Sequence, residues 1–242
     1  APTTLNNQVP AEEGIHTPFV EPEPPPSPVR IGVFQDEAFQ FYYPENLEQL
    51  AKAGANLVPI SPIRDAALPE VHALYLGGGF PETLAPELST NISFMKSVRK
   101  AAQAGLPIYA ECGGAVYLGR TLHYGEESFK LVGALPIDFG FQAKPKGHGY
   151  TVLETVGENP FFPVGTAVRG HEFHYTYMLP AQEEELAFAF AVQRGFGFDG
   201  EHDGVQKGNV LASYTHVHAL GTEGWASSLV EAAARFRSPP AG

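Results

Sequence analysis

The residues with the most chemistry in this 242-residue chain sit in "PIYAECGGAVYLG", where an apolar run ends at Cys112, the single cysteine of the sequence. Small residues stand two before it (Ala110) and two after it (Gly114), and a helix-like stretch follows. A nucleophile elbow needs that spacing, because a sharp strand-to-helix turn leaves no room for side chains at those flanks and pushes the nucleophile outward. A thiol in this position meets the positive end of a helix dipole and free backbone N–H groups, which favour the thiolate. The N–H of Gly113 would also point toward an oxyanion formed at any carbonyl that Cys112 attacks. Taken alone, the elbow suits a buried small hydrophobe as well as a nucleophile, since free cysteine is among the most buried residue types.

A cysteine nucleophile needs a base, typically histidine. In "ASYTHVHALG" a strand delivers His216, with His218 two residues on and on the same face if the strand continues. "LYLGGGFPE" places Gly77, Gly78 and Gly79 at the C-terminal end of a strand, where open α/β sheets hold their ligands and glycine lets backbone approach a substrate closely. "RGHEFHYT" carries His171 and His174, but an H-x-x-H spacing on a strand puts them on opposite faces and is not H-E-x-x-H on a helix. No metal site is expected.

The elements that must position these residues follow from the pattern along the chain. Residues 1–28 hold eight prolines and four glutamates with no Lys or Arg, a composition that reads as a polyproline-like spacer unable to bury enough surface to fold. An ordered domain is expected over residues 29–238. "VRIGVF", "LVPI", "HALYLGGG" and "LPIYAE" read as strands. A helix opens at Pro44 with Leu47, Leu50 and Ala51 as its stripe, and another is capped by Asn91 with Ile92, Met95, Val98 and Ala102 on one face. Strand and helix alternating at these lengths predict an α/β fold with a mostly parallel sheet flanked by helices. Beyond about residue 130, "GYTVLETV", "AVRGHEFHYTYML", "LAFAFAVQ" and "GNVLASYTH" predict an antiparallel extension of the same sheet, before a closing helix with Trp225, Leu229, Ala233 and Phe236 on one face.

Lys and Arg total 15 against 27 Asp and Glu, a net charge of −12, which argues against nucleic acid or an anionic membrane as partner. One cysteine permits no internal disulfide, there is no long apolar span, and no phosphate loop or strand-linked G-x-G-x-x-G occurs. A cytoplasmic protein is expected. The first residue is Ala rather than Met, which suggests a processed chain or a piece of a longer one.

"YLGGGFPE", "PIYAECGG", "RGHEFHYT" and "ASYTHVH", in that order, together with residues 36–69, resemble the class I glutamine amidotransferase domain of the cobyrinic acid a,c-diamide synthase family. The resemblance implies a flavodoxin-like fold in which Cys112 attacks the side-chain amide of glutamine and His216 activates the thiol and protonates the leaving ammonia. Gly79 and Gly113 would supply the oxyanion hole, with Gly78, Glu111, Gly114 and His218 in support. His174 and Tyr175 would hold the glutamine α-carboxylate or line the ammonia exit. Many class I glutaminases carry a Glu two residues after this His and a Gln four after the Cys; here those positions hold His218 and Val116. The site therefore resembles the subgroup with a Cys–His dyad, and what orients His216 stays open.

By the same resemblance the chain needs no cofactor of its own. ATP and Mg would belong to a missing N-terminal synthetase domain, fused or separate, that carries a tetrapyrrole acceptor. Residues 1–28 would be a remnant linker. The acceptor would be cobyrinate or hydrogenobyrinate, amidated at its a and c carboxylates. A sirohydrochlorin-type tetrapyrrole, or a catalytically idle docking module, are the alternatives.

Overall fold

The apolar runs expected to be strands collect into one sheet because their faces are covered on both sides. The computed structural model describes residues 25, 28–179 and 185–238; the expected spacer at 1–28 lies, apart from Pro25 and Pro28, outside the described residues. The chain begins with β1 (Val29–Phe34), α1 (Pro44–Lys52), β2 (Ala55–Ile60) and β3 (Ala73–Leu76). A 3-10 turn at Pro81–Leu84 leads into α2 (Ala85–Thr90), α3 (Ile92–Gln103), β4 (Ile108–Glu111) and α4 (Gly113–Leu118). There follow β5 (Thr121–Tyr124), β6 (Glu127–Lys130), β7 (Asp138–Phe141), β8 (Gly147–Thr155), β9 (Ala167–His174) and β10 (Thr176–Met178). The last elements are β11 (Ala187–Arg194), β12 (His202–Lys207), β13 (Val210–Ser213), β14 (His216–Val217) and α5 (Trp225–Arg237).

Ten strands form the main sheet in the order β14-β9-β8-β11-β12-β13-β4-β3-β1-β2. The half from β13 to β2 is parallel and the half from β13 to β14 antiparallel. The expected antiparallel extension is thus present, and β13 returns from it to pair in parallel with β4, setting Ser213 opposite Glu111. That pairing brings the chain leading to His216 alongside the chain leading to Cys112.

The second sheet, in the order β10-β7-β5-β6, departs from the sequence reading. Its strands have three or four residues, too few to display a two-residue alternation. The run "AVRGHEFHYTYML" does not stay in one sheet: β9 pairs with β8, then the chain bends at Tyr175 and β10 pairs with β7. Phe173, His174 and Tyr175 therefore sit at a corner between the two sheets.

Helix faces also differ in detail. In α1, Asn46 and Leu50 are buried while Ala51 is exposed. Asn46 donates to Tyr75 Oη and the Val217 carbonyl and accepts from the Ala219 N–H at 2.7 Å, so a polar residue pins α1 to the segment after β14. In α3, Asn91 caps as expected, accepting from the Phe94 N–H, but Ile92 is exposed and Phe94 takes the inward place. One face of the main sheet packs Tyr75 and Tyr109 against Trp225 of α5; the other packs Phe34, Phe39 and Phe94 around Tyr117 of α4.

Candidate active site

Cys112 leaves β4 with φ 47° and ψ −104°, the one non-glycine residue at positive φ among the described residues. Such a conformation costs roughly 1–3 kcal/mol and persists only where the surroundings impose it. Here the Cys112 N–H donates to the Ser213 carbonyl at 2.7 Å, and the Gly114 N–H donates to the Gly77 carbonyl at 3.1 Å. A Cβ on Gly114 would lie 2.5 Å from the Leu76 carbonyl oxygen, so the elbow closes only with a hydrogen at that flank. Cys112 is nearly covered, with Sγ 3.6 Å from the Phe173 carbonyl oxygen, to which the thiol donates.

The glycine-rich strand end meets the elbow directly. Gly79 has φ +157°, and a Cβ there would sit 2.0 Å from the Ala38 carbonyl oxygen. A Cβ on Gly113 would come within 3.1 Å of the Gly79 nitrogen, so the backbones of the two expected oxyanion donors lie side by side. Gly78 makes room for His216: a Cβ there would fall 2.3 Å from its Cε1.

His216 is held from several sides. It pairs with His171 across β14 and β9, its ring stacks on His171 at 4.9 Å, and Phe41 packs edge-on at 4.8 Å. Its Nδ1 lies 3.6 Å from Glu111 Oε2, beyond hydrogen-bond range but within that of an ion pair. Glu111 is itself fixed, accepting from Tyr75 Oη and from the Val217 N–H, both at 3.1 Å. Burial pulls the His216 pKa down, but Cys112 and Glu111 beside it outweigh burial and raise it to about 10. His171 goes the other way: burial and the neighbouring His216 lower its pKa to about 4, leaving it neutral. The structure thus sets Glu111, the residue before Cys112, against His216. His218, where many glutaminases have their acid, lies half exposed with Nε2 3.7 Å from Glu45 and its ring against Tyr43.

His174 and Tyr175 line the cavity at Cys112, which measures about 10 Å³ and is also walled by Gly79, Glu82 and Phe173. The His174 ring stacks on Tyr214 at 3.6 Å, with Nδ1 2.8 Å from the Thr176 carbonyl oxygen and Nε2 3.5 Å from Glu172. Burial pushes the Glu172 pKa up, but His174 and the N–H groups of Gly197 and Phe196 outweigh it and hold the carboxylate below its usual range. Among the described residues no group of three or more His, Cys, Asp or Glu could hold a metal ion, and no helix is long and apolar enough to cross a membrane.

Three supporting residues escaped the sequence reading. Asp203 is fully buried and accepts from Ser213 Oγ, Thr215 Oγ1 and the N–H groups of Gly204, Tyr214 and Thr215, bracing the turn that carries His216. Asn46 braces the far side of the same turn. Glu82 stands in the cavity wall. Asn46 acts through contacts more than 170 residues away and Asp203 through the β12–β13 turn-back, so neither leaves a motif in the sequence, whereas Glu82 was visible in the "GGGFPE" run.

Residues 30–224 match a family described as the CobB/CobQ-like glutamine amidotransferase domain. The chain is 41% identical over 224 residues to a cobyrinate a,c-diamide synthase of Magnetococcus marinus, covering 88% of this chain and 48% of that protein. It is 42% identical over 205 residues to a protein of the same name from Archaeoglobus fulgidus, covering 85% and 44% respectively. The chain therefore spans about half the length of the curated relatives it matches. Among solved structures, PurLQS from Thermotoga maritima superposes with a TM-score of 0.61 at 16% identity, covering 87% of this chain and 100% of that one. A glutamine amidotransferase from the same organism gives 0.55 at 16% identity, covering 86% and 90%. At these identities the likeness concerns the fold.

Proposed function

The chain belongs to the CobB/CobQ-like glutamine amidotransferase domain family, and from that premise we propose that it splits glutamine and passes the ammonia to an ATP-dependent synthetase half that amidates the a and c carboxylates of cobyrinate. The observation that carries the proposal is the strained Cys112 beside a buried His216 paired with Glu111, next to the joined backbones of Gly79 and Gly113.

The Cys112 thiolate adds to the glutamine side-chain carbonyl carbon, and the oxygen takes up negative charge against the N–H groups of Gly79 and Gly113. Collapse of that adduct breaks the C–N bond as the His216 imidazolium gives its proton to the departing nitrogen, which leaves as ammonia. A γ-glutamyl thioester remains. The neutral His216 then takes a proton from water, the resulting hydroxide adds to the thioester carbonyl, and expulsion of the thiolate completes glutamate. Glu111 serves throughout as a positioning residue, holding the ring and favouring its protonated form. His174 and Tyr175 fit a role in gripping the amino acid's backbone end, since both line the cavity.

ATP and Mg are assigned to the synthetase half, whether fused or separate, together with the tetrapyrrole. The names of the relatives favour cobyrinate over a sirohydrochlorin-type acceptor. The intact Cys112 and His216 speak against an idle docking module. A cytoplasmic location fits the lone unpaired cysteine. To test the reading, the chain is incubated with a diazo-ketone analogue of glutamine and its intact mass recorded. One adduct per chain, absent in Cys112→Ala, is expected; no adduct, or one that persists in the variant, refutes it.

A further inference from the structure

Glu82 has no part in the steps above, yet it lines the same cavity as Cys112, Gly79 and His174. It is 6% exposed and follows Pro81 at the start of the 3-10 turn, three residues after Gly79. No Lys, Arg or His pairs with it among the described residues. Every other acid close to the reaction centre has partners: Glu111 has Tyr75, Val217 and His216, while Glu172 has His174 and two backbone N–H groups. A carboxyl so deeply buried is costly to ionise without a cation beside it. Consistent with that, burial pushes the Glu82 pKa up to about 7, opposed only by its own backbone N–H.

We propose that the Glu82 carboxylate receives the α-ammonium group of the glutamine substrate, and so selects an α-amino acid over other primary amides. This rests on the glutaminase reading and names a recognition group within it. Glutamine has three polar ends. Its amide belongs at Cys112 between Gly79 and Gly113, and its carboxylate is the group that His174 and Tyr175 would hold. Its one cationic end needs an anion inside the cavity, and Glu82 is the wall residue left to meet it. No covalent step is involved; a buried acid and a substrate cation complete each other on binding, each offsetting the desolvation of the other.

The test uses the full chain carrying Cys112→Ala, which binds without turning over, with calorimetric titration of glutamine and of glutaramate, the same amide lacking the α-amino group. Adding Glu82→Gln, which keeps the shape and removes the charge, should weaken glutamine roughly 10- to 100-fold while leaving glutaramate unchanged. Thermal melting of both proteins checks that the fold is kept, and Glu82→Leu, of similar bulk, should repeat the result. Equal affinities for glutamine with and without Glu82, or an equal loss for both ligands, overturns the proposal. Failure of the underlying reading looks different: glutamine then binds in the Cys112→Ala protein and depends on Glu82, but the wild-type chain releases no glutamate.

Discussion

Two hollows share Phe173 as a wall and are built on opposite plans. The one at Cys112 holds about 10 Å³ and is shaped by backbone: a strained elbow, two abutting glycines and the corner where β9 passes into β10. The other holds about 850 Å³ and is walled by side chains that run from the buried His216 and Glu172 at one side to the exposed Phe41 and Tyr150 at the rim, with Tyr43, His171 and His218 between. The first has room for about one water molecule, so a glutamine side chain can be seated only if the wall gives way. The second has the size of an ordinary ligand cleft. The contrast teaches that reactivity here depends on constraint. Where backbone fixes every group, removing one atom set should stop the chemistry; where exposed rings form the rim, a truncation should be absorbed.

That contrast can be broken by substitution. Cys112→Ala should cut glutamate release by at least about 10⁴-fold with the melting temperature little changed, since nothing else in the small hollow can form the acyl intermediate. His216→Asn should cost roughly 10²- to 10⁴-fold in kcat, read in the same assay. Asp203→Ala tests the frame rather than the chemistry. It strands several buried donors of residues 204 and 213–215, and chemical denaturation should show a loss of roughly 3 kcal/mol.

Glu111→Gln should lower kcat roughly tenfold and move the alkaline limb of the pH profile. The sign follows from the pair: the folded-state pKa of His216 is raised from 6.5 to about 10, partly by Glu111. The stabilisation from that charged pairing is fully present below about pH 6.5 and is lost as pH rises through about 10. Without the Glu111 charge the limb should fall to lower pH; a limb that stays near 10 would remove Glu111 from its positioning role. The smallest effect belongs to the open cleft. Tyr150 is 74% exposed, and Tyr150→Ala should leave glutamate release within about twofold. A large loss there would erase the distinction between the two hollows.

Legibility in the sequence followed the same division. The elbow spacing at Cys112 and the glycine run are local and so visible in the sequence, but each alone suits packing or a turn as well as chemistry, and the ordered run of motifs that also contains His216 is what joins them into one candidate site. The parallel half of the sheet was readable because strands buried on both faces are continuous apolar runs such as "VRIGVF". What could not be read depends on how strands meet in space: Glu111 meeting His216, Asp203 of β12 bracing residues 213–215 at the end of β13, and the bend at Tyr175 that divides one apparent strand between two sheets. His218 sat where a familiar acid would be, but β14 ends at Val217 and the alternation that would aim His218 at the site is not sustained. Ala51 and Ile92 matched helical periodicity yet face solvent, because Asn46 and Phe94 have stronger tertiary partners.

The most direct test of the account is to mix the wild-type chain with glutamine, quench in acid within the first turnover, and locate the adduct by peptide mass. A hydroxylamine-sensitive γ-glutamyl thioester on the peptide containing Cys112 is the predicted result. Glutamate released with no such adduct, or an adduct on any other residue, would contradict it.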